Sequence, residues 1–278
     1  SNATNKNKDN QKNSHIIIFD IHSEYKNAFS LGDEQNFHLN ILDVEKMCIP
    51  YWLMNSEELE SLFIESNEMN SHNQISQFKR AVILSKEKHN PDKKVTYDMP
   101  VYFSIGEVYN FIYNLNNEVI SKLDNEYGKP KTKEGNLIED IKEYLNKKFD
   151  FIPSSTAGAT KASNGPFNGE FERFLTRIET KLSDKRLDFI TSPKKSDGTE
   201  YKTGDFPEIL KQFIGYIDKS NVSIIDLSGI PFEVLSITVS LVSRLIFDFA
   251  FHYSKNKHAH NELNDIPFMI VCEEAHNY

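Results

Sequence analysis

Three short apolar runs, each stopping at an acid, limit what this chain can become. They are His15-Ile16-Ile17-Ile18-Phe19-Asp20, Val222-Ser223-Ile224-Ile225-Asp226 and Phe268-Met269-Ile270-Val271-Cys272-Glu273-Glu274. Runs of this length without polar alternation read as strands buried on both faces, the habit of parallel sheets. A further strand is expected at Leu187–Ile190, after Asp184-Lys185-Arg186, and another over Phe37–Leu42. Helical patterns separate them, so the expected architecture is α/β, a mainly parallel sheet with flanking helices. In such sheets ligands sit outside the carboxyl ends of the strands. Asp20, Asp226, Glu273 and Glu274 would then share one sheet edge. Carboxylate oxygens gathered there suit a Mg²⁺-nucleotide, because hard cations take oxygen ligands. The plainer reading is that acids often begin loops, and a glutamate pair alone is as often just solvated.

The helical segments are uneven in what they say. Gln74–Lys88 sets Ile75, Phe78, Val82 and Ile83 on one stripe, with Lys79, Arg80, Lys86 and Lys88 off it. A solvated basic face is favoured there over a phosphate contact. Pro100–Ser104 reads as extended and Ile105–Leu115 as an aromatic-rich core helix. Residues 116–148 are charged and read as a peripheral helical pair around Gly128-Lys129-Pro130. Phe171, Phe174, Leu175, Ile178 and Leu182 mark another helix, and Phe206–Ile217 a short one. Pro231 opens a helix whose apolar face, including Leu235, Val239, Val242, Ile246, Phe249 and Tyr253, is wide enough to predict burial on the sheet. Arg244 is expected to pair with Asp248, four residues on.

The segment 153–166 is rich in Ser, Thr, Ala and Gly around Lys161, which invites comparison with a phosphate loop. It fails the pattern Gly-x-x-x-x-Gly-Lys-Ser/Thr, since no second glycine precedes Lys161. The only Gly-Lys pair, Gly128-Lys129, is followed by a proline. Asp20-x-His22-x-Glu24 is a weak metal pattern, because alternate residues of one extended segment rarely converge. The net charge of −9 argues against a broad basic face for duplex binding. Two cysteines, Cys48 and Cys272, both in apolar surroundings, make neither a disulfide framework nor a metal site. No apolar run approaches the roughly 20 residues of a bilayer span, so a cytoplasmic protein with no membrane partner is expected. Ser1-Asn2-Ala3 looks like the scar of a cleaved tag, and residues 4–14 like a linker.

Several short patterns recur in one order. They are Asp20-x-His22-x-Glu24-Tyr25, Tyr51-Trp52-Leu53, Asp184-Lys185-Arg186-Leu187, Ile225-Asp226-Leu227-Ser228-Gly229, Arg244 and Glu273-Glu274-Ala275-His276. Together they resemble the HerA-like P-loop ATPases that translocate DNA. The family's usual Asp-Pro-His-Gly-Glu-Tyr appears here with Ile21 for proline and Ser23 for glycine, so the turn is expected to differ. The resemblance implies a partial P-loop NTPase core of RecA-like type in two parts, 15–55 and 184–278, carrying a large helical insertion at 56–183. It implies ATP and Mg as cofactors, with Asp20 and Asp226 at the nucleotide, Glu273 at the metal and Glu274 polarising the attacking water. DNA, a homohexamer, and a nuclease or antiphage-defence effector are the partners it implies. The family's β-barrel and P-loop would precede this stretch and its arginine finger would follow, so the chain reads as the middle of a motor, inactive alone. The competing expectation is a catalytically silent interaction module built on the same fold.

Overall fold

A computed structural model describes residues 14–30, 38–65, 70–215, 221–262 and 267–275. In chain order the first elements are β1 (His15–Asp20), α1 (Tyr25–Ser30), β2 (His38–Leu42), α2 (Ser56–Phe63), α3 (Ser71–His89), α4 (Ile105–Asn117) and β3 (Val119–Ser121). There follow β4 (Ala162–Asn164), α5 (Glu172–Ser183), α6 (Asp188–Thr191), α7 (Phe206–Ile214), β5 (Asn221–Asp226), α8 (Phe232–Ala259) and β6 (Phe268–Cys272). The chain divides into two units, one of residues 1–51 with 184–278 and one of residues 52–183.

The first unit is built on a sheet of order β2-β5-β1-β6, in which every pairing is parallel. Ile16 and Ile18 share one face with Leu39, Val222, Ile224 and Val271, and Tyr25 and Phe29 of α1 pack there. Ile17, Phe19 and Ile225 fill the opposite face and are wholly buried. On that side α7 is tied down by two polar side chains of the sheet. Ser223 Oγ donates to the Phe213 carbonyl at 2.6 Å, and Asn40 Nδ2 to that of Gln212 at 2.5 Å. The central strands are thus covered on both faces, which is why their apolar runs are unbroken.

Two strand expectations need correction. Leu187–Ile190 is no strand: Lys185–Leu187 is a 3₁₀ turn and α6 follows at once. Asp184 caps that turn by accepting from Arg186 N at 3.0 Å. A segment of four residues, three of them apolar, cannot be told from a buried helical turn by period, and β2 takes the remaining place in the sheet. β6 is parallel as expected but lies at an edge, with Met269 57 % and Ile270 37 % exposed. Cys272 is likewise exposed rather than packed among apolar groups.

α8 runs for 28 residues and is the crossover from β5 to β6. Its apolar residues from Val234 to Ile246 are buried, and Phe249 meets Phe268 of β6 edge-on at 6.1 Å. The residues expected on its wide face are all buried or half-buried, but apolar surface remains outside that face. Phe247 and Phe251 are exposed and stack on each other at 6.4 Å. By length and composition α8 could cross a bilayer, which a count of uninterrupted apolar residues misses because Ser, Thr and Arg break the run. Its place as a crossover between two strands of one sheet accounts for the same apolarity.

The second unit packs α3 against α4, with α2 and α5 alongside. Its core is aromatic: Phe63 meets Phe78 at 5.8 Å and Phe78 meets Phe174 at 5.9 Å. The helical pair expected over 116–148 is not there. β3 pairs antiparallel with β4, and most of the rest is turns tied by isolated bridges such as Ile120 to Pro130. Gly128 (φ 82°) and Pro130 stop helix propagation, and the backbone groups pair sideways instead, Lys131 N with the Val119 carbonyl at 3.0 Å. Lys86 is also not the solvated cation its position off the apolar stripe predicted. It is fully buried, and its ammonium donates to the carbonyls of Tyr97 (2.5 Å) and Met99 (2.7 Å).

Candidate functional site

Connections leave β1 and β5 on opposite faces of the sheet, α1 on one and α8 on the other, so the carboxyl ends of these neighbouring strands flank the topological switch point. The chain there reads Asp20-Ile21-His22-Ser23-Glu24-Tyr25 on one side and Asp226-Leu227-Ser228-Gly229 on the other. The β1 to α1 turn is closed by its own acid. Asp20 is wholly buried, and its two carboxylate oxygens accept from Glu24 N (3.2 Å) and Tyr25 N (3.0 Å).

Closing the turn this tightly puts Ser23 in the left-handed region, at φ 58°. A Cβ there costs roughly 1 kcal/mol or more, which explains why the resembling motif has glycine at this place. Ser23 turns its side chain to use: Oγ donates to Asp226 Oδ2 at 2.8 Å across the switch point. The other oxygen of Asp226 accepts from Ser228 N (3.0 Å) and Ser228 Oγ (2.7 Å). Burial by itself would raise the Asp226 pKa, but the hydroxyls of Ser228 and Ser23 outweigh it and hold the carboxylate below its ordinary range.

β6 ends against the same turn. Glu273 N donates to the Phe19 carbonyl at 3.3 Å, and Glu273 Oε2 accepts from Ile21 N at 2.9 Å. Glu274 follows, exposed and itself left-handed at φ 48°. The single segment Asp20–Tyr25 therefore contains one of the four acids expected from sequence and hydrogen-bonds to two others, Asp226 and Glu273. Glu274 stands next to them in the chain with its backbone in a conformation that non-glycine residues rarely hold.

The donors are oxygens throughout, the type a Mg²⁺ ion takes. Asp226 and Glu273 are half-buried and reach the edge, whereas the Asp20 oxygens face backbone amides. Among the described residues no three acids, histidines or cysteines converge closely enough to hold a metal unaided. Sequence reasoning missed Ser23 and Ser228 as partners of Asp226 and the Ile21 amide as partner of Glu273. The signal for the first was the serine standing where the resembling motif has glycine.

A family model described as the central domain of the helicase HerA matches residues 4–246. The match takes in β1, its turn and β5, and ends before β6 and the two glutamates. No curated protein matches the chain.

Proposed function

Because this chain belongs to the family of HerA central domains, we propose that it supplies the acidic edge of an ATP-hydrolysing site in a motor that moves DNA. Its lineage is that of P-loop ATPases. The observation that carries the proposal is the turn at Asp20–Tyr25, which binds Asp226 through Ser23 and Glu273 through Ile21 at the switch point of a parallel sheet. Asp20 builds this turn and so sets the spacing of the other acids. Glu273 and Asp226 would hold Mg²⁺ through its water shell. The ion, when bound, neutralises charge on the β- and γ-phosphates. Glu274, at the exposed left-handed position, orients the attacking water. The motor works in the cytoplasm as a homohexamer around DNA, together with a nuclease or defence effector.

Phosphoryl transfer asks a protein for position and charge more than for covalent help. Glu274→Gln keeps size and hydrogen bonding and removes only the charge. In a protein that also carries a phosphate loop, turnover should fall roughly 100-fold while ATP binding survives. Steady-state hydrolysis and nucleotide binding measured side by side decide the matter. Hydrolysis at the parental rate would remove Glu274 from the reaction and leave the reading of this fold as a silent interaction module.

The 278-residue chain contains no Gly-x-x-x-x-Gly-Lys-Ser/Thr. On its own it should therefore bind ATP too weakly for calorimetry, since no run of amides with a lysine cradles the β- and γ-phosphates. Micromolar binding would show that the site needs no such loop.

A further inference from the structure

The segment 153–166, which fails as a phosphate loop, builds something else in the second unit. It folds back on β3, with Lys122 N donating to the Lys161 carbonyl at 2.8 Å. Between the two lies a cleft of about 380 Å³, floored by Leu123, Ile152 and Pro153 and edged by Lys131, Thr160 and Lys161. That volume falls in the range of small-ligand sites. Lys131 is engaged by Glu126 at 2.7 Å, but among the described residues Lys122 and Lys161 have no carboxylate partner. The hydroxyls of Ser155 and Thr160 share one hydrogen bond at 3.0 Å, which leaves one hydroxyl proton to donate elsewhere.

Tyr127, the chain neighbour of the Glu126 that holds Lys131 at the cleft, is 68 % exposed. The Lys122 ammonium lies 5.0 Å from its ring centroid, so the residue that bonds to Lys161 also marks one side of this ring. The Lys161 ammonium and a hydroxyl donor at an apolar cleft suit an anion carried on a flat apolar body. An exposed ring next to positive charge suits a base that is free to stack. A duplex offers no free base face and asks for a broad basic surface, which a net charge of −9 does not supply.

We propose that the cleft and Tyr127 form a contact site for single-stranded nucleic acid, with a phosphate against Lys161 and Thr160 and a base stacked on Tyr127. The site deepens the nucleic-acid part of the function proposed above and rests on it, yet its readout needs no ATP. The experiment is fluorescence anisotropy of a labelled oligothymidylate of roughly 10 nucleotides, titrated with the full chain at about 50 mM salt. Tyr127→Ala and Lys161→Glu should each weaken binding roughly tenfold. Lys161→Glu should also lower the salt slope by about one. Lys142→Glu, an exposed lysine paired with Glu87, should bind like the parent and so controls for the change of charge. Coinciding melting curves would establish that all four proteins are folded. Equal binding by Tyr127→Ala or Lys161→Glu overturns the site and leaves nucleic acid held elsewhere. Absence of parental binding overturns it outright. Displacement of the strand by thymidine 5′-monophosphate at equal nucleotide concentration would also overturn it, as the mark of a free-nucleotide pocket.

Discussion

Ser23 holds two opposed effects in one residue. Its left-handed backbone favours glycine, while its hydroxyl ties β1 to Asp226. Ser23→Ala keeps the strain and loses the bond, so it should destabilise the chain by about 2 kcal/mol, the size of a hydrogen bond to a charged group. Ser23→Gly loses the same bond but relieves the strain, and should cost about half as much. Chemical denaturation of the three proteins separates the two terms. Equal losses for Ala and Gly would mean that the strain is absent. The pH dependence carries the same information. Asp226 has a folded pKa below its unfolded value, so its ionisation contributes stability above the unfolded value, near 4, and that contribution fades as the pH falls through the lower folded value. In Ser23→Ala the acid-induced loss should be shallower, because one of the two hydroxyls that lower the pKa is gone.

At the level of elements, sequence and structure agree where pattern alone decides and part where side chains intervene. β1, β5 and β6 were legible as apolar runs that each stop at an acid, and most helices because their apolar residues recur with a helical period. α6 was read as a strand because so short a segment carries no period, and Asp184, the cap of the turn before it, acts through a hydrogen bond rather than a pattern. Residues 116–148, which include β3, were read as helical because charged residues dominate them, and 153–166, which includes β4, as a loop. What decides their form is the pairing of β3 with β4, of Lys131 with Val119 and of Gly165 with Glu118. Gly165 shows how tight that pairing is. A Cβ there would meet Glu118 Cγ at 2.3 Å, and Glu118 is itself buried and bonded to the Tyr144 hydroxyl at 2.8 Å. Gly165→Ala should cost about 2 kcal/mol through overpacking and lower the Tm by roughly 5 °C. An unchanged Tm would mean that Glu118 can move aside freely. The acids at the sheet edge were legible as residue types. Their roles in the turn were not, because the partners of Asp20 and Glu273 are backbone amides, which no side-chain pattern reveals.

Across the whole molecule, the second unit carries its own interior. Its aromatic core runs from Phe63 through Phe78 to Phe174, and buried polar groups close on one another within it. Asn114 Nδ2 donates to the carbonyls of Tyr144 and Lys147, Phe171 N donates to Asn116, and Lys86 donates to Tyr97 and Met99. A segment with a core and satisfied buried groups meets the conditions of a domain. Residues 52–183, expressed alone, should therefore fold and unfold in one cooperative transition. Lys86 gives that transition a distinctive signature. Burial lowers its pKa from 10.5 to about 8, so between those two values the unfolded chain binds more protons than the folded one. Its contribution to stability must then rise as the pH climbs through that window. Lys86→Met fills similar space without a titrating group, so the Lys86 part of that rise should vanish. It also leaves two carbonyls without their donor, which should cost about 2 kcal/mol at neutral pH. Denaturation of the excised unit at several pH values between 7 and about 10.5 measures both effects. A non-cooperative melt would deny the unit its independence. A pH profile that Lys86→Met leaves unchanged would mean the buried ammonium keeps its proton throughout, held by the two carbonyls more strongly than burial opposes it.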